Sequence, residues 1–119
     1  MQPVNLAEKL GMFDDFWSPR IVGELNGQIV KLVKLHGEFV WHSHENEDEM
    51  FLVVRGEMTM QFRDRNTPVR AGEFIIVPRG VEHCPVANEE CHLMLFEPAA
   101  TKHTGEVVSE RTVNQQLRI

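Results

Sequence analysis

The sequence predicts an all-β protein, a small sandwich or barrel of short antiparallel strands, and two observations carry that prediction. Val, Ile and Phe number 26 of the 119 residues against 14 for Leu and Ala, so residues that suit a pleated, half-buried surface outnumber the stronger helix formers. From Gln28 onward, short apolar runs alternate with turn-forming residues, and the gaps between runs leave no room for crossover helices.

The elements follow in order. Asn5 stands three residues before Glu8 in the position of an N-cap, and Leu6, Leu10 and Phe13 come next at helical spacing. A short helix is expected there, ended by Ser18-Pro19, because the residue before proline is driven out of the α region. Two turns beside Asp14 and Asp15 suit an arm covering a sheet edge better than a membrane-binding helix. Strands are then expected over 28–35, 38–44, 50–55, 57–63, 73–77 and 91–96. Their breakers are His36-Gly37, Arg55-Gly56, Asp64-Arg65-Asn66, Ala71-Gly72 and Pro78-Arg79-Gly80. Beyond Pro98, Thr101, Thr104, Gly105 and Ser109 predict a polar extension lying over the surface.

Composition narrows the function classes. With 42% hydrophobic and 25% charged residues, the chain can bury one core. Eighteen acidic and twelve basic side chains give a net charge of −6, and the basic ones are scattered, so no nucleic-acid partner is expected. No run approaches the ~20 apolar residues of a membrane helix, and Met1–Asn5 lacks the basic and apolar regions of a secretion signal. A soluble, cytoplasmic protein without a membrane partner is the expectation. Cys84 and Cys91 are expected as free, buried thiols.

The chemistry concentrates in His42-Ser43-His44, the acidic turn Glu45 to Asp48, Glu49, and later His83. Strand side chains alternate between faces, so His42 and His44 point the same way and can converge on one ion. Glu49 follows the turn and can return to the same point, whereas His83 must arrive from elsewhere in the fold. Taken alone, His-x-His on a strand is commonly two surface polar residues, and the acidic turn is most simply a solvated one.

Gly37, His42-x-His44, Glu49 and Gly56 resemble the first motif of the cupin family, and Gly72, Pro78-Arg79-Gly80 and His83 resemble the second. Gly37 stands one residue closer to His42 than is usual there, and Asn88 one position later than the usual asparagine; neither departure touches a ligand. The resemblance implies one domain, a jelly-roll barrel over 28–97 with an N-terminal arm (1–27) and a C-terminal extension (98–119). It also implies that His42, His44, Glu49 and His83 hold a divalent transition metal such as iron, manganese, nickel, cobalt or zinc, with coordination positions left open.

If Glu49 points inward, Phe51 and Val53 do too, and Met58, Met60, Phe62, Phe74 and Ile76 are expected with them, lining a pocket or filling the core. The chain has no tyrosine, so proton transfer would use metal-bound water, a histidine or a carboxylate such as Glu82. Arg55, Arg63, Arg65 and Arg79 either meet an anion at the mouth or are simply solvated, and His36, His92 and His103 read as ordinary polar residues. The implied function is a metal-dependent enzyme of oxygenase or isomerase type acting on a small organic molecule, or else a non-catalytic binding or sensing module. The acidic mouth favours a neutral ligand with two neighbouring oxygens. A homodimer is expected too, because Ile29 to Leu35 reads as an apolar edge strand needing cover and cupins often dimerise near the N-terminus.

Overall fold

The structure, a computed structural model, describes residues 1–101, 105 and 116–119. Its elements are α1 (Leu6–Leu10), β1 (Arg20–Leu25), β2 (Gln28–Glu38), β3 (Glu49–Arg55), β4 (Glu57–Phe62), β5 (Asn66–Arg70), β6 (Phe74–Val77), β7 (His83–Pro98) and β8 (Leu117–Arg118). The strands hydrogen-bond in the order β5-β4-β7-β2-β1-β8, with β3 joined to β7 and β6 joined to β3. Pairing is antiparallel except for the short contact of β1 with β8.

Strand β7 organises the jelly roll. Along one side it pairs with β2; along the other, its start pairs with β4 and its end with β3. Register shifts between Leu35 and Gly37 and between Val53 and Arg55 mark where the ladders bend, as an irregularity that adds twist must do for a sheet to curl around an interior. The β3–β4 connection turns at Gly56, whose φ of +86° belongs to the left-handed region and whose missing Cβ would lie 2.9 Å from the Glu90 carbonyl oxygen.

The two faces of the sheet are filled differently. Inward residues Val33, Leu35, Phe51, Val53, Met58, Met60, Phe62, Leu93 and Leu95 form the main core, closed by Trp17. On the outer face, Val22, Val30, Leu32, Val54 and Met94 are covered by Leu6, Leu10 and Phe13. The arm therefore lies on a sheet face and not along an edge. Its helix begins as expected, with the Asn5 side chain accepting from the Glu8 amide at 2.9 Å, but it stops at Gly11, short of Phe13.

Several elements differ from the sequence reading. Residues 38–44 do not form a strand: β2 runs through Gly37 to Glu38, and beyond it only His42 makes an isolated bridge. Residues 20–25, counted with the arm, pair with β2. Strand β5 contains Pro68, tolerable because β5 pairs only with β4 and so lies at an edge. Strand β7 begins well before Cys91, running through Pro85 and the polar stretch Asn88–Glu90.

Phe74 and Ile76 are 59% and 55% exposed, which corrects their inward placement. Antiparallel partners share a face, and the pairs Glu49–Val77 and Phe51–Ile75 put Val77 and Ile75 inside instead. Strand β2 is interior, flanked by β1 and β7, so Ile29–Leu35 offers no free edge. Thr101 is buried and its carbonyl accepts from Lys31 Nζ at 3.5 Å, unlike a surface extension; Thr104 and Ser109 lie outside the described residues. Both cysteines are free and buried, and burial pushes each thiol up to about 11. No described helix is long and apolar enough to cross a membrane.

Gly37 shares the φ of Gly56 but has open space where a Cβ would stand. Gly37→Ala should therefore cost only the left-handed penalty, about 1–2 kcal/mol, whereas Gly56→Ala must also displace the β7 backbone and should cost more. Urea unfolding of the two variants checks this; an equal or reversed order would contradict the packing described.

Candidate metal centre

The site is assembled by one backbone pairing. His42 and His83 form an antiparallel bridge in which the His42 amide donates to the His83 carbonyl at 3.0 Å and the His83 amide returns the bond at 2.9 Å. Directly opposite residues share a face, and the two imidazoles meet with centroids 4.3 Å apart. His44, two residues on, projects to the same side, 5.1 Å from the His42 ring. Its carbonyl accepts from the Gly80 amide at 2.8 Å, tying it to the Pro78-Arg79-Gly80 turn. Glu49 enters as the first, inward residue of β3.

These four side chains are buried, and one potential ligand atom from each lies within 4.8 Å of the others. Glu49 Oε1 is 3.1 Å from His44 Nε2 and 3.8 Å from His83 Nε2. The Nδ1 atoms of His42 and His83 each lie 2.9 Å from a carbonyl oxygen two residues earlier, of Val40 and Val81. A carbonyl only accepts, so in each ring Nδ1 carries the hydrogen and the Nε2 lone pair is left for the centre.

Three buried atoms, His44 Nε2, His83 Nε2 and Glu49 Oε1, have no aligned hydrogen bond despite these short approaches. Each unpaired polar atom of this kind costs about 1–3 kcal/mol. One cation at their common centre would satisfy all three, and three imidazoles with a carboxylate suit a divalent transition metal.

The protonation states agree with that use. Burial first, and the neighbouring His83 second, lower His42 from 6.5 to about 4, so it is neutral near pH 7. Burial alone would raise Glu49, but the neighbouring Glu97, His44 and His83 outweigh it and hold the carboxyl well below its usual range. Neutral imidazole and ionised carboxylate are the forms that bind metal.

Next to the cluster lies an apolar cavity of about 30 Å³, walled by Trp17, Phe39, Phe51 and Leu93 and reaching His42 and Glu49. The rings of Trp17 and Phe39 stack there at 4.6 Å. At the rim, Asp48 accepts from the Arg79 amide at 2.9 Å and pairs with its guanidinium at 3.4 Å, so the mouth is less negative than a count of carboxylates predicts. Arg63 pairs with Glu82 at 3.1 Å on the surface and Arg65 with Asp64, so none of these enters the site. Arg55 and His36 are exposed, His92 pairs with Glu90 at 2.6 Å, and His103 lies outside the described residues.

Sequence reasoning missed Lys31 and Glu97. Their side chains pair at 2.7 Å in the interior behind Glu49. Burial and the adjacent Glu49 raise the Glu97 carboxyl well above its usual range, against the opposing pull of Lys31. The available signal was alternation: Cys91, Leu93, Leu95 and Glu97 share one parity, which places a charge at an inward position.

Comparison with known proteins agrees with the architecture. A model of the cupin domain (Cupin_2) matches residues 29–97, more than half of the chain, and the chain belongs to the cupin family. It is similar to a cupin-2 domain-containing protein from Shewanella frigidimarina, with 47% identity and a TM-score of 0.79 over 80% of this chain and 93% of that one. Protein NMB1881 from Neisseria meningitidis is 33% identical with a TM-score of 0.76, covering 82% of this chain and all of that one. The uncharacterized protein YdbB of Bacillus subtilis is 36% identical over 63 residues, 52% of this chain and 56% of that protein, so the match spans only about half of each.

His42 gives the metal-free protein a definite pH response. Folded, it takes up a proton near pH 4; unfolded, near its ordinary 6.5. Between these values the unfolded state binds more protons, so stability should fall as pH drops from about 6.5 to about 4. Melting curves of metal-free parent and His42→Asn proteins check this: the substitution should flatten the response across that window.

Proposed function

We propose that the chain is a metal-dependent cupin of oxygenase or isomerase type acting on a small organic molecule, with His42, His44, Glu49 and His83 as the ligands of one divalent ion: iron, manganese, nickel, cobalt or zinc. The observation that carries this reading is the set of buried, hydrogen-bond-orphaned atoms His44 Nε2, His83 Nε2 and Glu49 Oε1 facing one point. A bound ion would supply Lewis-acid or redox chemistry. The chain's own part is to keep the imidazoles of His42 and His83 in the Nδ1–H form through Val40 and Val81, to keep Glu49 ionised, and to exclude water with Trp17, Phe39 and Phe51. A ligand suited to this apolar wall is a neutral small molecule with neighbouring oxygens.

The alternative, a binding or sensing module without turnover, is favoured by one observation: among the described residues, His42 and Glu49 are the only titratable side chains lining the cavity, and both are taken as ligands. Protein purified without chelator should hold about one metal ion per chain, and His44→Ala and His83→Ala should each sharply lower that occupancy. Elemental analysis reads this; undiminished metal in both variants would sink the assignment. Oxygen uptake or conversion of a chelating enediol or phenol by the loaded protein supports the enzyme, and tight binding without either supports the module.

In the same reading residues 1–119 act as one cytoplasmic domain that pairs as a homodimer. The apolar edge available for pairing is β6, with Phe74 and Ile76 outward. Sedimentation at micromolar concentration should give twice the 13.7 kDa chain mass, and Phe74→Lys should return it to one.

A further inference from the structure

Two buried charges stand behind the histidine and glutamate cluster, and the cupin motifs contain neither. Lys31 on β2 and Glu97 on β7 are 1% and 0% exposed, with Nζ 2.7 Å from Oε1. Their meeting follows from register. The pairs Ile29–Glu97 and Lys31–Leu95 make Lys31 the diagonal neighbour of Glu97 on the inner face. On the opposite side of β7, Met50 pairs with Phe96, and one further step brings Glu49 alongside Glu97. The register therefore sets the two carboxyl groups side by side on the inner face. Beyond the close approach of Lys31, neither carboxyl oxygen of Glu97 has an aligned hydrogen-bond partner among the described residues.

An ion pair in such a place is a poor way to stabilise a core, because desolvation offsets most of the attraction and well-packed apolar side chains do as well or better. Its position suggests another use. The terminal torsion of a glutamate is broad, so a single inward Glu49 would turn freely about its last bond. Contact with Glu97 on one side and the imidazoles of His44 and His83 on the other removes that freedom.

We propose that Glu97, anchored by Lys31, is a positioning residue for the metal centre, holding the Glu49 carboxylate so that Oε1 stays turned toward the Nε2 atoms of His44 and His83. Lys31 supplies the positive charge that lets two carboxyl groups adjoin in a dry interior, and its further bond to the Thr101 carbonyl at 3.5 Å fixes the anchor. This inference rests on the metal-binding reading given above.

Removing one partner alone would leave a buried charge unpaired and confuse folding with binding, so the test uses double variants. Lys31→Met/Glu97→Leu removes the ammonium and the carboxyl group beside Glu49 at similar volume. Lys31→Met/Glu97→Gln also removes both charges but keeps an amide N–H that donates to Glu49. Melting temperature of the metal-free proteins and calorimetric titration with Mn2+ alone are the readouts. The Leu variant should melt close to the parent yet bind Mn2+ about 10- to 100-fold more weakly, the loss typical when a group supporting a metal ligand is removed. The Gln variant should bind within a few-fold of the parent. Parent-like affinity in the Leu variant, or an equal loss in both, overturns the positioning role. Should the Glu97→Leu change prevent folding, Lys31→Met/Glu97→Met poses the same question with a more adaptable side chain. A parent chain that binds no Mn2+ and carries no other metal overturns the metal-centre reading itself, and the positioning role with it.

Discussion

The hydrogen-bond ladder of β7 is the constraint on which the site depends. His83 opens this strand and Glu97 stands next to its end. Fourteen residues of straight strand would hold them roughly 45 Å apart, yet both come to Glu49, His83 at 3.8 Å and Glu97 by the register of β3 on β7. Only a strongly curled strand permits this. The curl is imposed by neighbours, since β7 exchanges β4 for β3 on one side while β2 shifts register at Gly37 on the other. The interior side chains and the clustered histidines and Glu49 then inherit their places from a backbone already bent.

Physical reasons decide which parts of this were legible in the sequence. His42, His44, Glu49 and His83 could be named because their chemistry is unusual and the spacing of the first three is local. Glu49 even set the parity of β3 correctly, with Phe51 and Val53 inside. Parity could not be carried from β3 to β6, however, because it passes through a register that the intervening residues do not reveal; hence Phe74 and Ile76 fell on the wrong face. Strand β5 was hidden by Pro68, which sequence treats as a breaker and an edge strand accepts. Lys31 and Glu97 were hidden for a different reason. A charge within or at the end of an apolar run ordinarily marks a solvated position, and only the pairing of β2 with β7 shows that these two neutralise each other inside.

The division of apolar material between the two faces bears on the chemistry. The inner cluster surrounds the three histidines and Glu49, with the Phe51 ring 5.9 Å from that of His83, and this low-polarity surround is what keeps His42 neutral. The outer cluster, where Leu10 and Phe13 cover Val22 and Leu32, includes none of these four residues. Its contribution is to bury a sheet face that would otherwise meet water, worth about 1.5–3 kcal/mol for each large side chain fully covered. Stability can thus accumulate on the outer face while the inner one tolerates unpaired polar atoms at its centre.

Trp17 joins the two halves of that arrangement. It stands in the left-handed region at φ 60°, a conformation that costs a bulky residue about 1–2 kcal/mol. What offsets the cost is specific: its amide donates to the Lys34 carbonyl at 2.9 Å and its indole N–H to the His36 carbonyl at 3.0 Å, while the ring is 5% exposed. The indole stacks on Phe39, and Phe39 meets the His42 ring edge-on at 5.4 Å. A continuous set of contacts therefore runs from the arm to His42. Because the cavity beside His42 is only about 30 Å³, room for a water molecule or two, any larger molecule approaching through it must take space now filled by Trp17 and Phe39. Separating such an aromatic pair costs about 0.5–1.5 kcal/mol beyond the area exposed. The packing that closes the barrel therefore also lines the approach to its histidines.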